Sequence, residues 1–153
     1  MPLPFFITPN ILKQRRTIAM DKKEKAIELH DRKYNCCQAV ACAFADEIGV
    51  DMETLFKAGE AFGLGMGGMQ GTCGALSGAI MLAGFLNSDG DINDPKTKAD
   101  TYKLSKELVS RFKEKTGSTV CCELKGVDTG KVLHTCPDCI RDGVAVVQEV
   151  LKL

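Results

Sequence analysis

An uncharged stretch, residues 61–86, constrains the fold more than any other part of the sequence. From Thr72 to Leu86 the residues are apolar on every side of a helical wheel, which predicts a helix buried at the centre of the molecule. The first half of the stretch is too rich in glycine for a lipid-exposed helix, and Gln70 interrupts it. We therefore expect a globular protein with a buried, Gly/Ala-rich central helix and no membrane insertion.

The segments on either side of this stretch also carry helical signals. Gly49 and Gly117 are candidate helix stops, and no segment alternates polar and apolar residues between hairpin turns. The sequence predicts an all-α fold, a compact bundle of about six to seven helices around the central helix. Besides the central helix at Thr72, helices are predicted to begin at Asp21, Asn35, Asp51, Asp94-Pro95, Ser118 and Thr135.

Residues 1–19 differ from the rest of the chain. They contain three prolines and a basic patch, and they lack helical periodicity. Their short apolar run has no basic residues before it, the reverse of a secretory signal. We interpret residues 1–19 as a poorly ordered N-terminal extension and residues 20–153 as a single helical, cysteine-rich domain of a cytoplasmic protein. The length of 153 residues fits one domain.

Charge and composition exclude some partners and direct attention to the thiols. The 20 basic residues are balanced by 20 acidic ones, so the surplus of positive charge that nucleic-acid binding needs is absent. The chain has no Trp and eight cysteines. In a reducing cytoplasm, this many thiols are typical of metal binding or redox chemistry.

Four of the cysteines fall in the first turn of a predicted helix. There, free backbone N–H groups and the positive end of the helix dipole favour the thiolate over the thiol. The thiolate is both the nucleophile and the metal ligand. The candidate site residues are therefore Cys36, Cys73, Cys121 and Cys136.

The other thiols have competing interpretations. Cys42 lies among alanines and is typical of a small apolar core residue. Cys37 and Cys122 each adjoin a candidate, and either member of each pair could be the functional one. Cys136 and Cys139 form a C-x-x-C, which on a helix places both sulfurs on one face. Without a following His it is not a haem attachment site, and without a second C-x-x-C it is not a zinc ribbon.

Two further patterns have structural explanations. The segment Gly63–Gly68 satisfies G-x-G-x-x-G, but the element before it is a predicted helix rather than the strand that a dinucleotide site requires. We interpret it as a flexible turn that allows close approach to the next helix. His134, near Cys136, is a candidate base or ligand, although a loop histidine is more often solvated.

The cysteine-bearing segments together resemble the C_GCAxxG_C_C family, whose members are described as redox-active. The similarity lies in residues 34–40, 71–79 and 112–121 and in Cys136, and it extends from about Met20 to the C-terminus. It implies four functional cysteines, which map to Cys36, Cys73, Cys121 and Cys136. In some relatives selenocysteine stands at the position of Cys73, which implies a reactive thiolate there. The additional thiols Cys37, Cys122 and Cys139 depart from the family pattern.

Three functions are compatible with these residues. The leading hypothesis is a thiol redox protein in which Cys73 attacks, and Cys36, Cys121 or Cys136 closes a disulfide. It requires no cofactor and would use a redox partner protein or a small-molecule oxidant. In the first alternative, the same four cysteines hold zinc or an iron–sulfur cluster, and the protein carries electrons. In the second, it is an accessory subunit of a transporter or oxidoreductase. A homodimer through an amphipathic helix is compatible with the pattern, but no residue requires it.

Overall fold

In the computed structural model, residues 20–153 form an all-α fold without a named strand, which confirms the predicted class. Residues 1–19, and with them the predicted extension, lie outside the described residues. No helix in residues 20–153 combines the length and apolar character needed to cross a membrane. The helices are α1 (Lys22–Asp31), α2 (Cys36–Ala43), α3 (Ala45–Ile48), α4 (Met52–Gly59), α5 (Gly63–Met66), α6 (Gly74–Asn87), α7 (Lys98–Thr116), α8 (Cys121–Lys125) and α9 (Cys136–Val146).

Short irregular segments complete the chain. A 3-10 turn, Glu60–Phe62, follows α4, and a π-helical segment, Val147–Leu151, continues α9. The helix predicted to run from Asn35 to Gly49 is divided at Phe44, whose backbone joins α2 to α3. Gly49 then ends α3 in the left-handed conformation, at φ 67°, as the sequence predicts.

Helix starts follow the capping residues where a side chain accepts a backbone hydrogen bond. Asn35 and Gln38 form a capping box at the start of α2. The Thr135 hydroxyl accepts a hydrogen bond from the Asp138 N–H at the start of α9. The carboxylates of Asp21 and Asp51 cap α1 and α4 in the same way.

Two predicted helix starts are displaced along the chain. The long helix α7 begins at Lys98 rather than at Asp94-Pro95, because the Asp91 carboxylate accepts hydrogen bonds from the Asn93 and Asp94 N–H groups and holds a turn there. Helix α8 begins after Val120 rather than at Ser118. The Ser118 hydroxyl accepts a hydrogen bond from the Val120 N–H, which keeps this segment in a turn before the helix.

The central helix is α6, and it packs against α2, α7 and α9. Its residues from Gly74 to Ala79 are all buried, whereas Phe85 and Leu86 in its last turn are exposed. Small residues allow neighbouring backbones to approach: a Cβ on Gly78 would lie 2.7 Å from the Cys37 carbonyl oxygen. The start of α6 thus lies against α2 at Cys36 and Cys37.

Candidate functional site

A cavity of about 190 Å³ lies where the N-terminal ends of α2, α6, α8 and α9 meet. All four cysteines that the sequence places at helix starts contribute to its wall. A fifth cysteine, from the first turn of α9, lies beside them. The cysteines that line the cavity are Cys36, Cys73, Cys121, Cys136 and Cys139.

The local fold places each of the four predicted cysteines at a helix start. Cys36, Cys121 and Cys136 are the first residues of α2, α8 and α9. Cys73 is the N-cap residue of α6, so the helix starts one residue later than the sequence interpretation placed it. The amide of Asn35, the residue before Cys36, donates to the Glu60 carbonyl at 2.9 Å and ties the start of α2 to the end of α4.

The glycine-rich segment forms one wall of the cavity. Leu64, Gly65 and Met66 all have positive φ, at 53°, 56° and 63°. A Cβ on Gly65 would lie 2.4 Å from the Cys121 Cβ, so only glycine allows this approach. The segment follows a 3-10 turn instead of a strand. The close approach at Gly65 is to the start of α8, whereas the sequence interpretation expected it at the next helix along the chain.

Backbone hydrogen bonds join this wall to the segment before α8. The Cys73 N–H donates to the Thr119 carbonyl at 2.7 Å, and the Cys121 N–H donates to the Gly71 carbonyl at 3.0 Å. Thr72 and Val120 form an isolated antiparallel bridge between them. These bonds fix Cys73 and Cys121 side by side, although their elements are distant in sequence.

Cys36 and Cys136, here called the outer pair, are half-buried. The Cys36 thiol lies within hydrogen-bonding reach of the Cys136 sulfur, and this bond lowers the pKa of Cys136 to about 5. The Lys125 ammonium lowers it further, and the negative charge of Cys136 raises the pKa of Lys125 in turn. The same hydrogen bond raises the pKa of Cys36. Cys136 therefore holds the charge and Cys36 the proton.

Cys73 and Cys139, the inner pair, are more deeply placed, at 6% and 2% exposed. A hydrogen bond from the Cys139 thiol lowers the pKa of Cys73, and the N–H groups of Ala75 and Leu76 act in the same direction. The bond raises the pKa of Cys139. The inner pair thus repeats the arrangement of the outer pair, with the thiolate at a helix start and the thiol beside it.

Cys121 contributes the fifth sulfur. It is 6% exposed, and burial together with the nearby Cys73 raises its pKa. Cys121 is therefore held as a thiol next to the inner pair. The structure brings it to the cavity, as the sequence interpretation requires.

The three remaining cysteines do not line the cavity. Cys37 and Cys42 are fully buried, and burial raises the pKa of Cys37 to about 12 and that of Cys42 to about 11. Cys122 is buried as well, and its backbone N–H donates to the Met69 carbonyl at 2.8 Å. Of the adjacent pairs that the sequence left open, Cys36 and Cys121 are the members that face the cavity.

Two groups at the cavity had no clear signal in the sequence. Lys125 lies one turn after Cys121, and nothing in its spacing connected it with Cys136. Cys139 was noted only as half of a C-x-x-C, and that spacing was the available signal for its place on the same face as Cys136. His134 also lines the cavity, and its Nε2 lies 2.6 Å from a carboxylate oxygen of Asp142.

The arrangement of donors bears on the metal alternative. Within residues 20–153, no three or more His, Cys, Asp and Glu side chains are grouped so that they could hold a metal ion. The sulfurs approach one another as two pairs, with Cys121 beside the inner one. Two thiols in contact can form a disulfide, so this arrangement supports dithiol chemistry.

Comparison with known families agrees with the resemblance seen in the sequence. The family described as "Putative redox-active protein (C_GCAxxG_C_C)" matches residues 34–150, which include all eight cysteines. No curated protein matches the chain, and no solved structure matches it. The match extends over more than half of the chain, and the chain belongs to the C_GCAxxG_C_C family.

Proposed function

We propose that this C_GCAxxG_C_C protein is a thiol–disulfide redox protein whose reaction takes place in the cysteine-lined cavity. The observation that carries the proposal is the outer pair, in which the half-buried Cys36 and Cys136 line one cavity and the Cys36 thiol lowers the pKa of Cys136. A thiolate beside a second thiol is the arrangement that thiol–disulfide exchange needs, because the first attacks and the second resolves the product.

The reaction starts at Cys136. Its thiolate attacks one sulfur of a disulfide RS–SR, a new bond forms between Cys136 and SR, and the other half leaves as RS⁻. Cys36 then gives up its proton and attacks the Cys136 sulfur, which closes the Cys36–Cys136 disulfide. The second half leaves with that proton as RSH. Two electrons pass from the outer pair to the substrate, and the reverse sequence oxidises a dithiol.

Access decides which thiolate attacks first. The sequence favoured Cys73, and its position at the start of the buried helix α6 does stabilise a thiolate. Cys73 is only 6% exposed, however, whereas Cys136 is half-buried and has Lys125 beside it. We therefore assign the first attack to Cys136 and a later role to Cys73.

Mixed-disulfide trapping tests this assignment. The reduced protein is treated with glutathione disulfide, free thiols are blocked with N-ethylmaleimide, and intact masses are measured without reductant. We expect the Cys136→Ser variant to lose both the glutathione adduct and the disulfide that follows it. The matched control is Cys122→Ala, which removes a buried thiol outside the cavity and retains both products.

The results that would contradict the proposal are specific. If Cys136→Ser forms the adduct and the disulfide at the wild-type rate, Cys136 is not the attacking residue. If the protein contains stoichiometric iron or zinc after anaerobic purification, and the metal is lost in Cys136→Ser, the metal-carrier alternative replaces the dithiol mechanism. If a transporter or oxidoreductase that contains this protein keeps its activity when all the cavity cysteines are replaced, the thiols take no part in the chemistry, as the accessory-subunit alternative requires.

A further inference from the structure

We infer that Cys73 and Cys139 form a second dithiol that receives the disulfide made by Cys36 and Cys136, so that the cavity stores two disulfides. This inference rests on the proposed function, because the outer pair must first be oxidised. It also gives a redox role to Cys139, which lies outside the four-cysteine pattern that the family resemblance carries.

The position of Cys139 is the first argument. It lies three residues after Cys136 on α9, so the two sulfurs share one face of the helix. The packing of α9 on α6 turns this face towards the start of α6: a Cβ on Gly143 would lie only 3.0 Å from the Ala75 carbonyl oxygen. Cys139 and Cys73 consequently line the same cavity from the two sides of this helix interface, and their interaction lowers the pKa of Cys73 and raises that of Cys139.

The second argument is that both pairs face one small space. All four sulfur-bearing residues line the same cavity of about 190 Å³. Cys73 and Cys136 are close enough for the charge on each to oppose the charge on the other. When the outer pair closes its disulfide, Cys136 loses its charge and this repulsion is removed. Oxidation of the outer pair therefore makes the Cys73 thiolate more stable next to a bond that it can attack.

The transfer balances without any added reactant. The Cys73 thiolate attacks the Cys136 sulfur of the outer disulfide, a Cys73–Cys136 bond forms, and Cys36 leaves as a thiolate. Cys36 takes the proton from Cys139. The Cys139 thiolate then attacks Cys73, the inner disulfide forms, and Cys136 leaves as a thiolate. The outer pair returns to its starting state and can react with a second oxidant.

Burial gives the two pairs different tasks. At 6% and 2% exposed, the inner sulfurs have little access to a substrate, and the half-buried outer pair is the route by which electrons reach them. The inner disulfide is correspondingly shielded from external thiols. Full reduction of the two disulfides thus takes four electrons, all of which enter through the outer pair.

Disulfide mapping after limited oxidation tests the transfer. The reduced protein receives one equivalent of glutathione disulfide, is blocked with N-ethylmaleimide at increasing times, and is digested without reductant. In the wild type we expect the Cys36–Cys136 disulfide first and the Cys73–Cys139 disulfide later. In Cys139→Ser and in Cys73→Ser the outer disulfide should persist. In a separate titration with excess glutathione disulfide, the total uptake should be two equivalents in the wild type and one in either variant.

The possible failures are distinguishable. A wild-type protein whose disulfide stays at Cys36–Cys136, and which takes up only one equivalent from excess glutathione disulfide, would overturn the transfer and leave the proposed function standing. A Cys136–Cys139 disulfide as the final product would also overturn it. If Cys139→Ser forms no outer disulfide although its circular dichroism is unchanged, the proposed function itself fails. The wild-type time course decides the question even where a variant does not fold.

Discussion

Cys36 and Cys37 are adjacent in sequence, as are Cys121 and Cys122, but one member of each pair lines the cavity and the other is buried away from it. Cys36 and Cys121 face the cavity, whereas Cys37 and Cys122 do not. One residue along a helix turns a side chain by about 100°, which is enough to move a sulfur out of a shared cavity. The comparison shows that in this protein a cysteine's chemistry is set by the face of the helix that it occupies.

The cavity and the positions away from it also differ in whether they favour the thiolate or the neutral thiol of a cysteine. In the cavity, neighbouring thiols, backbone N–H groups and Lys125 stabilise a thiolate. Around Cys37 and Cys42, burial is the main influence and favours the neutral thiol. The cavity cysteines are thus suited to reaction and the core cysteines to packing.

The largest expected effect is the difference in alkylation rate between Cys136 and Cys37. The thiolate reacts with iodoacetamide, and the pKa of Cys136 is about 5, whereas that of Cys37 is about 12. At neutral pH, Cys136 is then a thiolate and Cys37 is one to only about one part in 10⁵. Peptide mapping of the folded protein should find Cys136 labelled and Cys37 unlabelled.

The pH dependence of the Cys136 rate has a definite sign. Because its pKa is lowered, its alkylation rate should be flat above about pH 6 and should fall about tenfold per unit below about pH 5. An ordinary thiol would instead keep gaining reactivity up to about pH 8.5. A Cys136 rate that still rises between neutral and alkaline pH would contradict the assignment of a thiolate to this residue.

The next effect concerns the wall that holds Cys121 in the cavity. Gly65→Ala adds a Cβ at 2.4 Å from the Cys121 Cβ in a residue with φ 56°, so we expect a loss of about 2–4 kcal/mol in the free energy of unfolding. Gly67→Ala is the matched control, because Gly67 has φ 85° but nothing within 4 Å of its added Cβ. It should cost only about 1 kcal/mol. Urea denaturation of both variants measures the difference in the free energy of unfolding. Equal losses in Gly65→Ala and Gly67→Ala would mean that the glycine-rich wall is not in close contact with Cys121.

Much of the fold could be predicted from local residues. Asn35 and Thr135 were identified as caps because their side chains accept a hydrogen bond within the same turn. The start of α7 was misplaced because Asp94-Pro95 has the pattern of a helix start, whereas the Asp91 carboxylate uses the local N–H groups for a turn. Capping patterns in sequence do not show which of two competing local hydrogen-bond arrangements the chain adopts.

For the site, the sequence predicts which cysteines lie at helix starts but not how their sulfurs are paired. The position of a cysteine in the first turn of a helix is local, and the sequence identified four such cysteines. Which sulfur contacts which depends on how α2, α6 and α9 pack, and no spacing encodes that. The interaction of Cys139 with Cys73 in the cavity is therefore a finding of the structure, as is that of Lys125 with Cys136.

A smaller effect compares the adjacent thiols Cys36 and Cys37 directly. The comparison is made in Cys73→Ser, because the Cys73 thiolate could otherwise attack the Cys136 sulfur as well. With glutathione disulfide, Cys36→Ala in this background should accumulate the mixed disulfide at Cys136, because no thiol that resolves it remains. We expect this adduct to persist at least about tenfold longer than in Cys73→Ser alone, given the advantage of a thiol held nearby. Cys37→Ala in the same background should clear the adduct at the rate of Cys73→Ser. Intact-mass time courses would refute the division if Cys37→Ala were the variant that accumulates it.

The smallest expected effect isolates one cause of the low Cys136 pKa. The hydrogen bond from Cys36 lowers this pKa most, the Lys125 ammonium comes second and the charge on His30 third. Lys125→Met should therefore raise the pKa of Cys136 without restoring it to its ordinary value. A shift of about one unit would slow alkylation about tenfold at pH values below the new pKa and leave the plateau rate at higher pH unchanged.

Lys113→Met is the control, because Lys113 is exposed on α7 and does not line the cavity. Its pH profile should follow the wild type. If both variants shift the profile equally, the charge acts as part of the overall field of the protein rather than through contact with Cys136. If Lys125→Met leaves the profile unchanged, the Cys36 thiol and His30 stabilise the thiolate without Lys125. The outer pair would then keep its reactivity even where a bound substrate draws the Lys125 side chain away.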